Sequence, residues 1–480
     1  MSTRNSLIKN SLYNVAYRML NIIFPLVSAT YTARIILASG VGEVSFVQNV
    51  VSYFTTIAAM GIPNYGIREI AKTRNKEEAT NKVFSELFLI NGLSTLLCSI
   101  VYLILILIFN SIFENTSMYL AVGLTLVFNF LNIDWFYQGK EDYAYITKRS
   151  FIIKFISLFS LFFFVRDTDD AVNYALISSL AIGGNNIFNL VNLKRYNIKF
   201  SLNNIEIGRH LKPIFVLLGS VIAIEIYTML DTTMIGAMVG TTEVGYYTNS
   251  MKLVKLLITV ITAIGGVLLP RLSDYYSKGE FEKLNHIVDK VFRIMLFLFL
   301  PAQVALILVA PVIMPILFGD SFLPAVLTLQ VTSLLICTLG FSNLFGTQVL
   351  LTFGDERKLL ISTILGALSN IILNLVLIPV MAQNGAALAS VISETIVTLT
   401  AYFYAKKHVT IRFDLGFYLP TVISTIVMGG AIYVVMQLYI GDVEKMLFST
   451  LLGSIVFFLI NVFMKNPIIF EFTEIIKRKR

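Results

Sequence analysis

Charge is scarce in this chain: 14% of its 480 residues are Asp, Glu, Lys or Arg, against 56% that are hydrophobic. A soluble protein of this size has too little interior to hide so much apolar surface, which excludes a water-soluble globular fold. Cysteine and histidine are just as thin, with two and three residues. Cys98 and Cys337 both fall inside apolar runs, where they read as small packing residues rather than as a disulfide or metal pair. No Gly-rich phosphate loop, metal-spaced His/Cys cluster or nucleophile triad is found, and no long polar segment separates the apolar runs. No enzymatic activity, cofactor or metal is therefore expected. The polar start, MSTRNSLIKN, passes into a full-length apolar run without a small-residue cleavage site, so the first span is expected to stay as an anchor.

What fills the chain is apolar sequence in span-sized lengths, with a mean hydropathy of +0.78. Segments of about membrane-crossing length read at 10–38, 44–67, 83–110, 118–138, 150–165, 171–193, 213–238, 244–270, 291–314, 324–352, 359–380, 385–405, 416–439 and 446–464. This is an all-α polytopic membrane protein of about fourteen transmembrane helices. The net charge of +8 would suggest nucleic acid, but its placement argues for topology instead. Basic residues gather in alternate connections, as with Arg68 to Lys82, Lys140 to Arg149, Lys194 to Lys212 and Lys406 to Arg412, while only Arg166 and Lys445 lie between spans on the opposite side. The positive-inside rule then puts both termini in the cytoplasm.

A faint repeat links the halves. Glu43-Val44-Ser45-Phe46 with Asn49 recurs as Glu243-Val244-Gly245-Tyr246 with Asn249, and Lys82-Val83-Phe84 as Lys290-Val291-Phe292. Six spans separate the copies, so both point the same way across the membrane. Two six-helix bundles in a parallel pseudo-twofold repeat, 1–200 and 201–412, followed by two additional helices and a basic tail in 413–480, make a transporter pattern.

At YFTTIAAMGIPNYGIREIAKTR (Tyr53 to Arg74), NIDWFYQGKEDYAYITKRSFIIK (Asn132 to Lys154) and His210 to Leu253, the chain resembles the polysaccharide-transport flippases, which move lipid-linked O-antigen or capsule repeat units. The resemblance implies a superfamily that also holds multidrug exporters and peptidoglycan-precursor flippases. It further implies two bundles around a cavity that opens to each side in turn, in a bacterial cytoplasmic membrane. The expected cargo is an undecaprenyl-pyrophosphate-linked oligosaccharide, and the expected partners are membrane lipids and, in the same pathway, a polysaccharide polymerase and chain-length proteins; nucleic acid is not a partner. Competing functions are a multidrug or cation antiporter of the same superfamily and a membrane glycosyltransferase or polymerase.

Charges inside spans are expensive, so each needs a reason. Arg18, on a face with Asn14 and Asn21, and Lys255, near the middle of its span with Lys252 three residues before it, suit a cavity that receives an anionic head group. Arg34 and Arg293 are further candidates for that cationic lining, with Lys154, although their places near the interfaces also allow snorkelling to lipid head groups. Glu225, Asp231, Glu394 and Asp134 are the acids within spans. They read either as acceptors that hold helices together or as groups that exchange H⁺ or Na⁺ against the cargo. Tyr53, Tyr65, Trp135, Tyr137, Tyr246 and Tyr247, near span ends, read as an interfacial aromatic belt. Pro25, Gly61, Pro63, Gly265, Gly266, Pro301, Pro311 and Pro315 interrupt spans and could let them bend, though both residue types are common in membrane helices.

Overall fold

A computed structural model describes residues 24–108, 115–201, 205–262 and 268–469, and these contain helices and no strand. In hydrocarbon every backbone N–H and C=O must be paired within the chain, and a helix does this locally. Seven helices among the described residues are long and apolar enough to cross a membrane. The chain divides into two compact units, Met1–Gly236 and Ala237–Arg480.

In the first unit α1 (24–35) meets α2 (Leu37–Ala59) at a break where Leu37 takes φ 58. The run expected at 44–67 is not one helix. Met60 and Gly61 are both left-handed, at φ 49 and 72, and α3 (Ile62–Thr73) restarts with Pro63 in its first turn. Gly61 also faces Leu217 and Leu218, so a Cβ there would meet close neighbours as well as strain. Next come α4 (Glu77–Ile108), α5 (Thr116–Phe128), the short α6 (Asp134–Gly139), α7 (Tyr143–Phe164), α8 (Ala171–Asn192) and α9 (Gly208–Met238). α2 packs on α4 and α5, α5 on α8, α3 on α6 and α7 on α8. At Gly183 the α5 end comes so near that a Cβ would sit 2.2 Å from the Phe128 ring.

α9 opens the second sequence repeat, yet it packs with the first unit up to Gly236. Asn49 of α2 donates to the Met229 carbonyl at 3.1 Å and to Thr233 at 2.6 Å, and the Tyr53 hydroxyl lies 2.9 Å from the same threonine. By packing, the division thus falls at 236/237, whereas the repeat read from sequence begins at 201.

The second unit holds α10 (Thr241–Thr262), α11 (Leu268–Ser277), α12 (Phe281–Phe318), α13 (Val326–Ser333), α14 (Leu335–Ser342), a wide-turn π segment (Asn343–Leu350), α15 (Glu356–Ala405), α16 (Leu415–Met436) and α17 (Asp442–Phe463). Pro301, Pro311 and Pro315 sit inside α12 without ending it, and Pro25 lies within α1. Gly265 and Gly266 lie outside the described residues. The polar gap read between 380 and 385 is a break inside α15, where Ala382 leaves helical geometry at φ 49, ψ −131. α16 and α17 pair with each other and pack on α12. Asn461 donates to Ser424 at 2.6 Å, and Asn466 to Thr421 at 3.0 Å and to Asn461 at 2.7 Å, a buried polar seam of the kind that joins helices in lipid.

Candidate functional site: a polar cavity in the first unit

Four neighbouring parts of the first unit surround a cavity of about 350 Å³. α2 contributes Ser52, Thr55, Thr56 and Ala59, the i, i+3, i+4, i+7 positions of one helical face. α9 contributes Val221, Glu225 and Met229, each one turn from the next. The break after α2 adds Gly61, Pro63 and Asn64, while α5 and the turn that follows add Thr125, Asn129 and Asn132. The α2–α3 break is what brings Asn64 here, since a continuous helix would carry it a full turn beyond Ala59.

The cavity presents neutral hydroxyls and amides and one carboxylate. Ser52 and Thr55 donate to Gln48 and Val51 of their own helix at 2.8 Å each, which leaves hydroxyl oxygens with free lone pairs. Asn129 donates to Thr95 at 3.3 Å. Glu225 is half-buried, and among the described residues no ion pair or side-chain hydrogen bond holds its carboxylate. Such a group can bind a proton, a metal cation or a hydroxyl-bearing cargo.

Asp134 contrasts with it. Arg149 of α7 donates to Asp134 through Nη1 at 2.9 Å and Nη2 at 3.3 Å, Asn189 of α8 donates to it at 2.7 Å, and Arg149 also reaches Asn185 and Asn189. The sequence counts Arg149 among the basic residues of a connection, but its side chain is 5% exposed. The carboxylate of Asp134 is occupied in tying α6 to α7 and α8, the arrangement of a helix-packing acceptor. Arg293 changes in the same sense. It donates to Asp289 at 3.0 Å and to Asp414 at 2.6 Å, and stacks over Phe417. Its guanidinium clamps the entry of α16 to α12.

The other expected cations do not all fall in one unit. Arg18, with Asn14 and Asn21, lies outside the described residues. Arg34 is exposed on α1 of the first unit. In the second unit Lys252 donates to the buried Asn249 at 2.8 Å, and Lys255 is exposed further along α10. Asp231 is buried on α9, off the face that carries Glu225, and Glu394 is buried in α15.

Two family models match this chain over more than half its length. One, described as polysaccharide biosynthesis protein, covers residues 7–276; the other, Lipid II flippase MurJ, covers residues 147–452. The chain belongs to the polysaccharide-transport flippases. A protein named "Putative O-antigen transporter" from Escherichia coli (strain K12) is 22% identical over 84% of this chain and 97% of its own length. Among solved structures, "Lipid II flippase MurJ, inward closed conformation" superposes with TM-score 0.78 at 16% identity, over 95% of this chain and 99% of that one. An inward-facing multidrug resistance MATE family transporter of the MOP superfamily superposes with TM-score 0.60 at 14% identity, over 83% of this chain and 94% of its own. Both likenesses concern the fold. The flippase's relatives are transporters rather than catalysts, in line with the absence of any reaction motif.

Sequence reasoning missed the neutral half of the flippase's cavity. Its signal was present: Thr55, Thr56, Asn64, Asn129 and Asn132 are neutral polar residues in or beside apolar spans, and they lie in or next to the stretches that carry the family resemblance. Four of the six aromatics expected in an interfacial belt are interior residues instead. Tyr65, Trp135, Tyr137 and Tyr247 are at most 4% exposed. The first three join Ile62, Ile70, Phe84 and Phe136 in one core cluster. Hydroxyls that would have met water find the Asn189 carbonyl for Tyr137, His210 Nδ1 at 2.8 Å for Tyr65 and Ser390 at 3.1 Å for Tyr247.

Proposed function

We propose that this protein moves undecaprenyl-pyrophosphate-linked oligosaccharide repeat units from the cytoplasmic to the outer leaflet of a bacterial cytoplasmic membrane by alternating access, with both termini in the cytoplasm. The observation that carries the reading is a polar cavity of hydroxyls and amides inside an otherwise apolar chain that the polysaccharide biosynthesis and lipid II flippase family models match. A sugar chain needs many hydrogen-bond partners on its way through hydrocarbon, and Asn and Thr side chains supply them without a net charge to desolvate. The diphosphate head needs cations, for which Lys252 and Lys255 of the second unit are the candidates. Glu225 is the candidate coupling acid, because it can take up H⁺ or Na⁺ and release it as cargo arrives. Asp231 and Glu394 are secondary candidates. A polymerase and chain-length proteins of the same pathway are the proposed partners.

One observation favours a second reading. The only charged side chain among the residues lining the described cavity is an acid, which suits a cationic cargo, as in a multidrug or cation antiporter. Reconstitution in liposomes decides between them. The flippase reading expects translocation of a defined lipid-linked oligosaccharide, faster with a proton or Na⁺ gradient and lost in Lys255→Ala. Transport of a cationic dye, with no movement of the oligosaccharide, would overturn it.

A further inference from the structure

The second unit carries another recess, a groove of about 770 Å³ at the connection end of α12. We propose that this groove binds the phosphate of an anionic membrane phospholipid. Its walls are the first turns of α12 and the connection that runs from α15 into α16, which bring together Lys283, His286, His408 and Arg412 against one acid, Glu282.

The groove is built rather than merely basic. Asp355 receives His408 Nε2 and Lys358 Nζ, each at 2.6 Å, and the Phe353 ring stacks on the imidazole with centroids 4.2 Å apart and planes 19° apart. Tyr276 and Phe281 pack on Phe353 in turn. The backbone of residue 412 is fixed as well: its N–H donates to Asp289 at 2.8 Å and its carbonyl accepts from Arg293 at 3.4 Å. Two further acids of these elements, Asp289 and Asp414, are engaged by Arg293. Among the described residues no hydrogen bond, ion pair or ring contact engages the guanidinium of Arg412 or the imidazole of His286. Lys283 reaches only Glu280, a pair open to solvent. Cationic side chains held on a fixed frame with free donors call for an anion.

Its position selects a lipid over a soluble ion. Phe413 and Leu415 lie one and three residues after Arg412, and they are 79% and 64% exposed. Apolar side chains so bare, at the entry of a membrane-length helix, belong against acyl chains. The Arg412 guanidinium one residue earlier therefore reaches the head-group layer, where basic groups attract anionic lipid. The proposal is independent of what the transporter carries.

Purified full-length protein in detergent, titrated with phosphatidylglycerol or phosphatidylcholine of the same acyl chains and followed by native mass spectrometry, tests it. Wild type should retain phosphatidylglycerol about tenfold better, and Arg412→Gln with His286→Gln should remove most of that preference while Lys148→Gln, a change on α7 of the first unit, leaves it. If the double variant elutes as aggregate, His286→Gln alone replaces it, since that exposed side chain has no described partner, and should reduce the preference by about half. Equal retention of the two lipids by wild type, or an unchanged preference in the groove variants, would refute the site. Inorganic phosphate at millimolar concentration is the third arm: displacement of the lipid by phosphate would show that the groove takes the free ion and would overturn the choice of a lipid.

Discussion

Two acids in the first unit, Asp134 and Glu225, looked alike in the sequence and differ in the structure. Asp134 has a buried arginine and an asparagine bound to it, whereas Glu225 faces a polar cavity with no described partner. Glu86 belongs with the first: it is fully buried and accepts from Arg209, from His210 Nε2 at 2.8 Å and from the Glu206 N–H at 2.8 Å. The comparison teaches that in an apolar protein a carboxylate's role follows from whether its charge is already matched. A matched one holds helices together; an unmatched one beside a cavity is available for work.

The largest expected effect separates the two acids directly. Glu225→Gln should reduce gradient-driven transport in liposomes roughly tenfold or more while shifting thermal stability by no more than about 0.5 kcal/mol; a stable variant with full coupled transport would remove Glu225 from the mechanism. Arg149→Ala should do the reverse. It strands the Asp134 charge and is expected to cost about 3–5 kcal/mol, read as a fall in the unfolding midpoint of the detergent-solubilised protein. A near-neutral result would mean that Asp134 is not held by this pair.

A smaller loss is expected for Glu86→Gln, about 2 kcal/mol, because its shape is kept and the half-exposed Arg209 can turn to water. The same unfolding measurement checks it, with transport by the surviving folded fraction unchanged. The smallest effect concerns pH. The Lys358 ammonium, helped by His408, holds the Asp355 carboxyl below the usual carboxylate range. A depressed value means that the stabilisation is complete above about pH 4 and is lost as pH falls through the folded-state value. Wild type should therefore be more stable than Asp355→Asn at pH 7, and the gap should close on acidification. A gap that stays constant down to pH 3 would show that the ion pair contributes nothing.

Much of the fold was legible because lipid enforces a simple rule: a chain that crosses it must run as long apolar helices. Apolar length therefore located α8, α16 and α17 to within a few residues, and the motif around Gly61 and Asn64 pointed to the family before any coordinate. Asp134 and Glu225, or Tyr137 and a true interfacial tyrosine, could not be told apart in this way. Position along a span gives depth, but it gives neither the partner nor the direction of a side chain. Arg149 read as a loop cation for the same reason, since the residues that match it, Asp134 and Asn189, lie 15 and 40 positions away along the chain.

The sequence by itself determined that this is a helical membrane protein, because composition and apolar length report the solvent a chain lives in, and the stretches Tyr53 to Arg74, Asn132 to Lys154 and His210 to Leu253 carried its resemblance to the polysaccharide-transport flippases. Only the tertiary structure decided that Glu225 meets Asn64, Asn129 and Thr55 around one cavity while Asp134 and Arg293 are bound into ion pairs. Charge matching is a contact between helices distant in sequence, and packing alone brings those helices together.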